Sequence, residues 1–489
     1  MTEQVNNISL TCNEGAEKRP AFTSEYSTFP ATSGSMAEPV TRTYHLRWMY
    51  LLISVFIQIG AMQAFIGFAP VANIIDSYYG SGTHDTLDLI FIGVTIPCYV
   101  ICILLSPTIG LRWLILGCLA LTALGNGVRG LSVIDGPSVE LKKWILYVGH
   151  GIAAAGGPVP MFLPTKVSSA WFPPSQRAIS TSINSISSPF GILLINLIVP
   201  RIIKKNSDLM ELNIIHFALP FASLILAIFT IHRNAPVIPP SLSAADGLNL
   251  PLKESLLTCV KSRAYVVLAI CAGGGIALFN VLFTLMEKIL CIRGYDNDFS
   301  GLVTALMIAS GLVGATLAGL FVDRTKLFVE TLKVALPLAC FCGICFSIAA
   351  HYPNVELLIL ASVILFGFFG LAFYGIAIEM TAECTYPVSE LTSAGLLGLI
   401  GQIESFIILL ILGWLTKPAT NSDLIHQVCT KNPKEIKDLE DYNYPLIAIA
   451  VIGTAIVVFF VPFFRPEYKR MRMEHRRASQ DNTPTNVRF

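Results

Sequence analysis

The chain has 489 residues, of which 54% are hydrophobic and only 13% charged, and its formal net charge is +1. A mean hydropathy of +0.65 leaves too little polar surface to coat a water-soluble body of this size. The composition therefore predicts a polytopic membrane protein, which has the lipid bilayer as a partner. The charge balance gives no support for a nucleic-acid partner.

Twelve apolar runs, each near the ~20 residues that a helix needs to cross a bilayer, follow one another along the chain. Six lie in the first half, at 48–75, 87–106, 111–133, 144–165, 177–202 and 214–231, and six in the second, at 264–290, 299–322, 331–351, 355–381, 390–416 and 443–464. Polar residues precede the first run, so no cleavable signal peptide is expected.

A polar stretch between the two sets contains Pro239, Pro240 and Pro251, which break helices. The six-plus-six arrangement predicts an all-α membrane protein made of two pseudo-symmetric six-helix bundles. The predicted regions are a disordered cytoplasmic tail (1–44), an N-terminal bundle (45–233), a cytoplasmic linker (234–263), a C-terminal bundle (264–465) and a basic cytoplasmic tail (466–489).

Basic residues predict the orientation. If both termini are cytoplasmic, basic residues on that side outnumber those outside by roughly two to one, although Lys142, Lys143, Lys204 and Lys205 oppose this assignment. The segments YSTF at 26–29 and YKRM at 468–471 fit a tyrosine-based sorting pattern. The plasma membrane is favoured, with an endosomal or lysosomal membrane as the alternative.

Motifs for ATP-driven or hydrolytic chemistry are absent from the sequence. It contains no GxxxxGK[ST], HExxH or GxSxG, and no paired CxxC at a soluble face. No enzyme activity, catalytic residue, metal site or cofactor is therefore expected.

Polar residues inside the runs are the candidates for a substrate pathway, because a charge in hydrocarbon costs on the order of 3 kcal/mol unless it meets water or a partner. Gln402 and Glu404 lie near the middle of the eleventh run. Two positions apart means about 200° of rotation, so both cannot face one small ligand. Either Gln402 or Glu404 lines the pathway, or the pair serves to bond a neighbouring helix.

Other polar and aromatic side chains in the runs complete this set. His150 could exchange protons near neutral pH or serve as a hydrogen-bonded structural residue. The carboxyl groups near helix ends, Glu379 and Glu287 with Lys288, suit an interface or a gate better than a substrate ligand. The remaining candidates, for which packing is at least as good an explanation, are Gln63, Phe65, Asn126, Arg129 and Asn280.

Small residues cluster in GHGIAAAGGPVP at 149–160 and CAGGGIALFN at 271–280. Such segments permit either close helix packing or bends that open a cavity. Two of the twelve cysteines, Cys291 and Cys429, fall on the predicted non-cytoplasmic side, where disulfides persist, and we expect them to pair.

The segment GLFVDRTK at 319–326 resembles the loop that links cytoplasmic helix ends in the major facilitator superfamily. The resemblance implies a cytoplasmic gate formed by Gly319, Asp323 and Arg324. Asp323 can face the positive N-terminal end of a helix, and Arg177 is its candidate ionic partner. Their contact would close the cytoplasmic side and break when that side opens.

The segments WFPPSQRA at 171–178, SSPFG at 187–191, LCIRGYDNDFSGL and AECTYPVSELTSAGLL resemble solute carrier family 49, the feline leukaemia virus subgroup C receptor family. Members of that family carry heme, choline, ethanolamine or pyridoxine. In its choline carriers, a tryptophan in the first helix and a tyrosine in the seventh help to enclose the quaternary ammonium group. The matching positions here are Phe65 and Asn280, and Gln402 is retained from the same constellation.

The resemblance implies a secondary-type carrier with alternating access, whose partner is a small-molecule organic solute. This solute would bind at a midplane site between the two halves. Phe65, Asn280 and Gln402 would bind the solute, and Glu404 or Glu379 would supply charge compensation or proton coupling. The alternative is a receptor or sensor that keeps the fold without moving a solute.

Overall fold

The computed structural model describes residues 42–105, 108–238, 240, 251–388, 390–418, 440–466 and 468. The first half contains α1 (Arg47–Ile66), α2 (Ala72–Tyr79), α3 (Thr83–Leu105), α4 (Leu111–Leu131), α5 (Val139–Ala154), α6 (Val159–Trp171), α7 (Pro174–Ile202) and α8 (Leu209–Thr230), with 3₁₀ turns at Ala69–Val71 and Asn206–Asp208. The second half contains α9 (Leu252–Lys261), α10 (Arg263–Cys291), α11 (Asn297–Thr325), α12 (Phe328–Ala349), α13 (Glu356–Thr385), α14 (Glu390–Leu415) and α15 (Asn443–Phe463).

Within these residues, twelve helical segments are long and apolar enough to cross a membrane, which confirms the twelve predicted spans. The first span joins α1 and α2, the fourth joins α5 and α6, and the sixth is α8 with its preceding turn. The second, third and fifth spans are α3, α4 and α7, and the seventh to twelfth are α10 to α15. A two-residue ladder pairs β1 (Lys417–Pro418) with β2 (Glu440–Asp441) antiparallel, next to α15.

We call the end of the bundle where α2, α4 and α10 end the outer end, and the end where α3, α6 and α8 end the inner end, after the predicted orientation. Cys291 lies at the outer end and is disulfide-bonded. A disulfide there fits a non-cytoplasmic location. Its predicted partner, Cys429, lies outside the described residues, so the pairing stays a prediction.

Breaks interrupt the first and fourth spans. In the first, α1 ends before Gly67, and a 3₁₀ turn that contains Pro70 follows at Ala69–Val71. In the fourth, Gly156, Gly157 and Pro158 separate α5 from α6. Glycine and proline give such breaks because they weaken or prevent continued helical hydrogen bonding.

The two glycine-rich segments behave differently. The one at 149–160 contains the break of the fourth span, whereas 271–280 lies inside the continuous helix α10. There the backbone of Gly273 lies close to Gly401 of α14, because neither residue carries a side chain at the contact. Both interpretations of the sequence, bending and packing, therefore occur.

The most extensive contacts between the two halves are those of α3 with α14 and of α7 with α11. Small residues permit both contacts: Phe406 lies against Gly93, and Gly301 packs on the backbone carbonyl of Asn196. A short helix, α9, lies in the predicted linker. Pro251 does not interrupt this helix, because it precedes the first turn.

Candidate functional site

Phe65 and Asn280 lie in the same region, where the two halves meet. The Phe65 ring stacks on Phe91 of the second span at 4.7 Å and meets Phe283 of the seventh span edge-on at 6.1 Å. Asn280 lies one turn before Phe283, and its Nδ2 donates to the Ser405 hydroxyl at 3.3 Å. The first, second, seventh and eleventh spans therefore converge here, next to the break in the first span.

Gln402 and Glu404 point in different directions from the eleventh span. Leu399 and Phe406, which share a helix face with Gln402, pack against the second and fourth spans of the other half. Glu404 instead lies beside the seventh span, where its Oε2 would be 2.7 Å from a Cβ placed on Gly273. Gln402 thus lies on the face between the halves, and Glu404 lies between two helices of the same half.

Arg129 of the third span is completely buried at the break of the first span. Its Nη1 donates to the Ala64 carbonyl oxygen at 3.1 Å, and its guanidinium carbon lies 4.2 Å from the Phe68 ring centroid. The Ala64 carbonyl is one that the end of α1 leaves without an intrahelical partner, and a cation is favoured at a helix C-terminus. Among the described side chains, no carboxylate pairs with Arg129.

Two histidines complete the surroundings of this guanidinium. Arg129 nitrogen atoms lie 3.3 Å from Nδ1 of His150 and 2.7 Å from Nδ1 of His216. Because a guanidinium can only donate, both Nδ1 atoms accept and the imidazoles are neutral. The sequence proposed proton exchange or a structural role for His150, and its hydrogen bond to Arg129 is the contact expected of the structural role.

Two further residues of the predicted pathway are Gln63 and Glu379. Gln63 of α1 is half-buried, and its Oε1 has no hydrogen-bond donor among the described residues. Glu379 of α13 is exposed towards the inner end, one turn from the exposed Gly375.

The predicted cytoplasmic gate lies at the inner end. Asp323 and Arg324 are exposed, and Gly319 faces open space. Arg177 donates to the backbone carbonyls of Phe172 at 3.1 Å and Ser169 at 3.3 Å. The ion pairs formed by the described side chains do not include Asp323 with Arg177, so their contact stays a prediction for a state in which the inner end is closed.

Polar contacts between the halves close the outer end. Lys288 of the seventh span pairs with Asp76 at 3.0 Å and with Asp85 at 2.8 Å. Asn73 and Asn297 hydrogen-bond to each other across the halves, and Lys204 pairs with Asp298. We call the contacts of Lys288 with Asp76 and Asp85 the outer gate. The sequence indicated an interfacial or gating role for Lys288 but did not identify its partners.

Metal ligation has no support in the described part of the chain. It contains no group of three or more His, Cys, Asp or Glu side chains arranged to hold a metal ion.

Comparison with known proteins identifies the class. Residues 51–409 match the Major Facilitator Superfamily. A bacterial homolog of the human lysosomal transporter Spinster, in an inward-facing and unoccupied conformation, superposes with a TM-score of 0.63 at 13% identity, over 87% of this chain and 98% of that one. The two six-helix halves are therefore those of a major facilitator superfamily transporter.

Three relatives narrow the family. The "Uncharacterized protein B0416.5" of Caenorhabditis elegans is 37% identical, over 90% of this chain and 87% of the relative. "Solute carrier family 49 member A3" of Xenopus tropicalis is 33% identical, over 88% and 90%. "Choline/ethanolamine transporter FLVCR1" of Felis catus is 27% identical, over 79% and 70%. The chain belongs to solute carrier family 49, as its sequence motifs predicted, and is an integral multi-pass membrane protein.

Proposed function

We propose that the protein is a secondary carrier that moves a small organic solute across a membrane by alternating access. The ring contact between Phe65 and Phe283, one turn from Asn280, is the observation that supports this function best. It joins side chains from opposite halves beside the break of the first span. Interrupted helices next to a midplane junction of two halves are where carriers of this kind bind their solutes.

Gln402 is the third member of the proposed solute site. It lies on the face of the eleventh span that meets the other half, so its amide can donate to and accept from a solute between the halves. We assign Glu404 to packing against the seventh span. Glu379, exposed towards the inner end, is the remaining candidate for charge compensation.

The solute itself is proposed as a class. A relative named for choline and ethanolamine transport makes these amines the first candidates. Phe91 stacks on one face of the Phe65 ring, so only the opposite face is left to contact an ammonium group. Two features argue against choline. Asn280 supplies no aromatic wall for the ammonium group. In addition, only His150 separates the Arg129 guanidinium from Phe91, and a fixed positive charge so near the site disfavours a cationic solute. A heme-like or pyridoxine-like compound is therefore tested beside the amines.

The plasma membrane is the proposed location, with an endosomal or lysosomal membrane second. No enzyme activity is proposed, because the chain belongs to a family of transporters and the sequence contains no catalytic motif.

Uptake and release of labelled choline, ethanolamine, pyridoxine and heme, in cells that express the chain, test this function. For the transported solute, Gln402→Ala removes one hydrogen-bonding side chain and is expected to raise the apparent KM about tenfold. The matched control is Ile403→Ala, because Ile403 is the neighbouring residue and faces outward. Its flux should stay near that of the wild type.

The outcomes separate the two functions. Flux of one solute that Gln402→Ala weakens and Ile403→Ala leaves unchanged supports the carrier and its site. Equal flux in both variants would remove Gln402 from the solute site. Binding of a solute without any flux, in protein that reaches its membrane, would overturn the carrier in favour of a receptor or sensor.

A further inference from the structure

More carboxyl groups than cations surround the outer gate. Asp76 and Asp85 share Lys288, whose side chain is 9% exposed. Asp88 and Glu287 are each only 2% exposed and lie near the same lysine without pairing to it. Four carboxyl groups thus surround one lysine. If all four were ionised and the neighbouring His84 were neutral, the lysine would leave three negative charges uncompensated.

Asp88 and Glu287 carry oxygen atoms without donors. Both carboxyl oxygens of Glu287 and Oδ2 of Asp88 are buried and make no hydrogen bond of ordinary geometry with the described residues. The backbone N–H of Asn73 faces Glu287 without reaching that geometry. An ionised carboxylate in such a position loses its solvation and gains no hydrogen bond in return, whereas a protonated carboxyl group avoids most of that cost.

His84 connects the two acids. It is 1% exposed, its Nδ1 lies 3.8 Å from Oδ2 of Asp88 and 3.8 Å from Oδ1 of Asp85, and Glu287 is near enough to interact with it electrostatically. His84 and Asp88 belong to the second span, whereas Glu287 belongs to the seventh, in the other half. The three groups are therefore brought together only while the outer gate is closed.

One further acid faces the gate from outside the spans. Glu440 of β2 lies near Lys288 and accepts a hydrogen bond from Tyr442 at 3.0 Å. Burial and the nearby Asp85 carboxylate raise the pKa of Glu440. This fifth carboxyl group adds to the excess of acid and does not offset it.

We propose that His84, Asp88 and Glu287 form a proton-binding site that fills when the outer gate closes. In the open state the halves separate, water reaches the carboxylates, and they ionise. On closure a carboxylate oxygen takes a proton from the outer solution, and no other bond forms or breaks. This proposal rests on the proposed alternating access, which supplies the opening and closing of the outer gate. The proton site would couple that movement to the binding and release of a proton.

The direction of the pH dependence follows from this order of events. Because the closed state binds more protons than the open state, acid favours closure and alkali favours opening. For each proton bound on closure, the ratio of closed to open molecules changes by up to about tenfold per pH unit.

Hydrogen–deuterium exchange on purified full-length protein in lipid nanodiscs tests the site without knowledge of the solute. The readout is exchange in the outer parts of the second and seventh spans between pH 5.5 and 8.0, corrected for the intrinsic pH dependence of amide exchange. Wild-type protection is expected to fall at least tenfold over this range, as one bound proton predicts. Glu287→Gln, which mimics the protonated acid, should stay protected at pH 8.0.

Two controls accompany this measurement. Glu356→Gln removes an exposed carboxylate at the outer end of the tenth span and should keep the wild-type response. Infrared difference spectra give a direct readout: the C=O band of a protonated carboxylic acid should be present in the wild type at pH 5.5 and weaker in Glu287→Gln and in Asp88→Asn.

Contrary outcomes are distinguishable. A gate that opens equally at both pH values would overturn the proton site and leave the carrier intact. A gate that stays closed at both pH values would count against the proton site and the alternating access together. A response to Na⁺ in place of K⁺ at constant pH, without a response to pH, would overturn the proton in favour of a metal cation.

Discussion

Replacing Lys288 by methionine is expected to open the outer end of the bundle. The substitution keeps most of the side-chain volume but removes the cation that Asp76 and Asp85 share. Breaking a largely buried ion pair in this way leaves uncompensated charge and costs about 2 to 4 kcal/mol. The closed state should therefore lose most of its population. Hydrogen–deuterium exchange in the outer parts of the second and seventh spans should rise at least tenfold at pH 7.

Lys204→Met is the matched control, because Lys204 also pairs across the two halves. Its side chain is 53% exposed and that of its partner Asp298 is 45% exposed. An exposed ion pair contributes about 0 to 1 kcal/mol, so exchange at the outer end should change less than fivefold. Equal increases in Lys288→Met and Lys204→Met would show that burial does not decide which contact closes the gate. No increase in either variant would mean that Lys288 does not hold the outer end closed.

The twelve spans could be predicted from the sequence because each depends only on its own hydrophobic length. Glycine and proline likewise indicated where helices could break, but not which glycine segments would do so. The segment at 149–160 contains a break because two glycines precede a proline, whereas 271–280 contains no proline and stays helical. The sequence was therefore sufficient to predict the spans and possible breaks, because both depend on residues that are close together in the chain.

The site residues were harder to predict, because their roles depend on how helices rotate against their neighbours. Gln402 and Glu404 have nearly the same depth in the eleventh span, and only the close approach of Gly401 to Gly273 places Glu404 against the seventh span. The partners of Lys288 lie about 200 residues earlier in the chain, in α2 and α3. Arg129 was named as a candidate, but its contact with the Ala64 carbonyl depends on the break in the first span.

The bundle contains an excess of positive charge at Arg129 and an excess of acidic groups at the outer gate, and the two lie at different places. The N-terminal half buries a guanidinium with neutral histidines and no carboxylate among the described side chains, whereas the outer gate buries acids around one lysine. The helix end at Ala64 explains the first excess, since its carbonyl groups carry partial negative charge. Helix N-termini offset only part of the second: the His84 N–H at the start of α3 donates to Asp76 at 2.8 Å, whereas the Asn73 N–H at the start of α2 faces Glu287 without hydrogen-bonding to it. Bound protons are the simplest compensation that remains.

Adding a single methyl group at Gly367 is expected to destabilise the C-terminal half. In Gly367→Ala, the new Cβ would lie well inside 3.0 Å of the backbone carbonyl oxygen of Met307. A backbone atom cannot rotate away as a side chain can, so α11 and α13 must separate. Gly311 and Gly314 pack equally closely on α13, so the separation would be felt along the whole contact. Overpacking of this kind costs about 1 to 3 kcal/mol, and the melting temperature in detergent should fall by several degrees.

Gly375→Ala, two turns further along α13, is the control for this substitution. A Cβ at Gly375 would meet no atom within 4 Å, so only the backbone preference changes. Alanine is favoured over glycine in a helix interior by up to about 1 kcal/mol, so the melting temperature should stay unchanged or rise slightly. If the melting temperature falls equally in Gly367→Ala and Gly375→Ala, the cause is a general sensitivity of α13 to substitution and not the contact with Met307. No loss in either would show that the eighth and tenth spans can separate without cost, as two helices that slide during transport would.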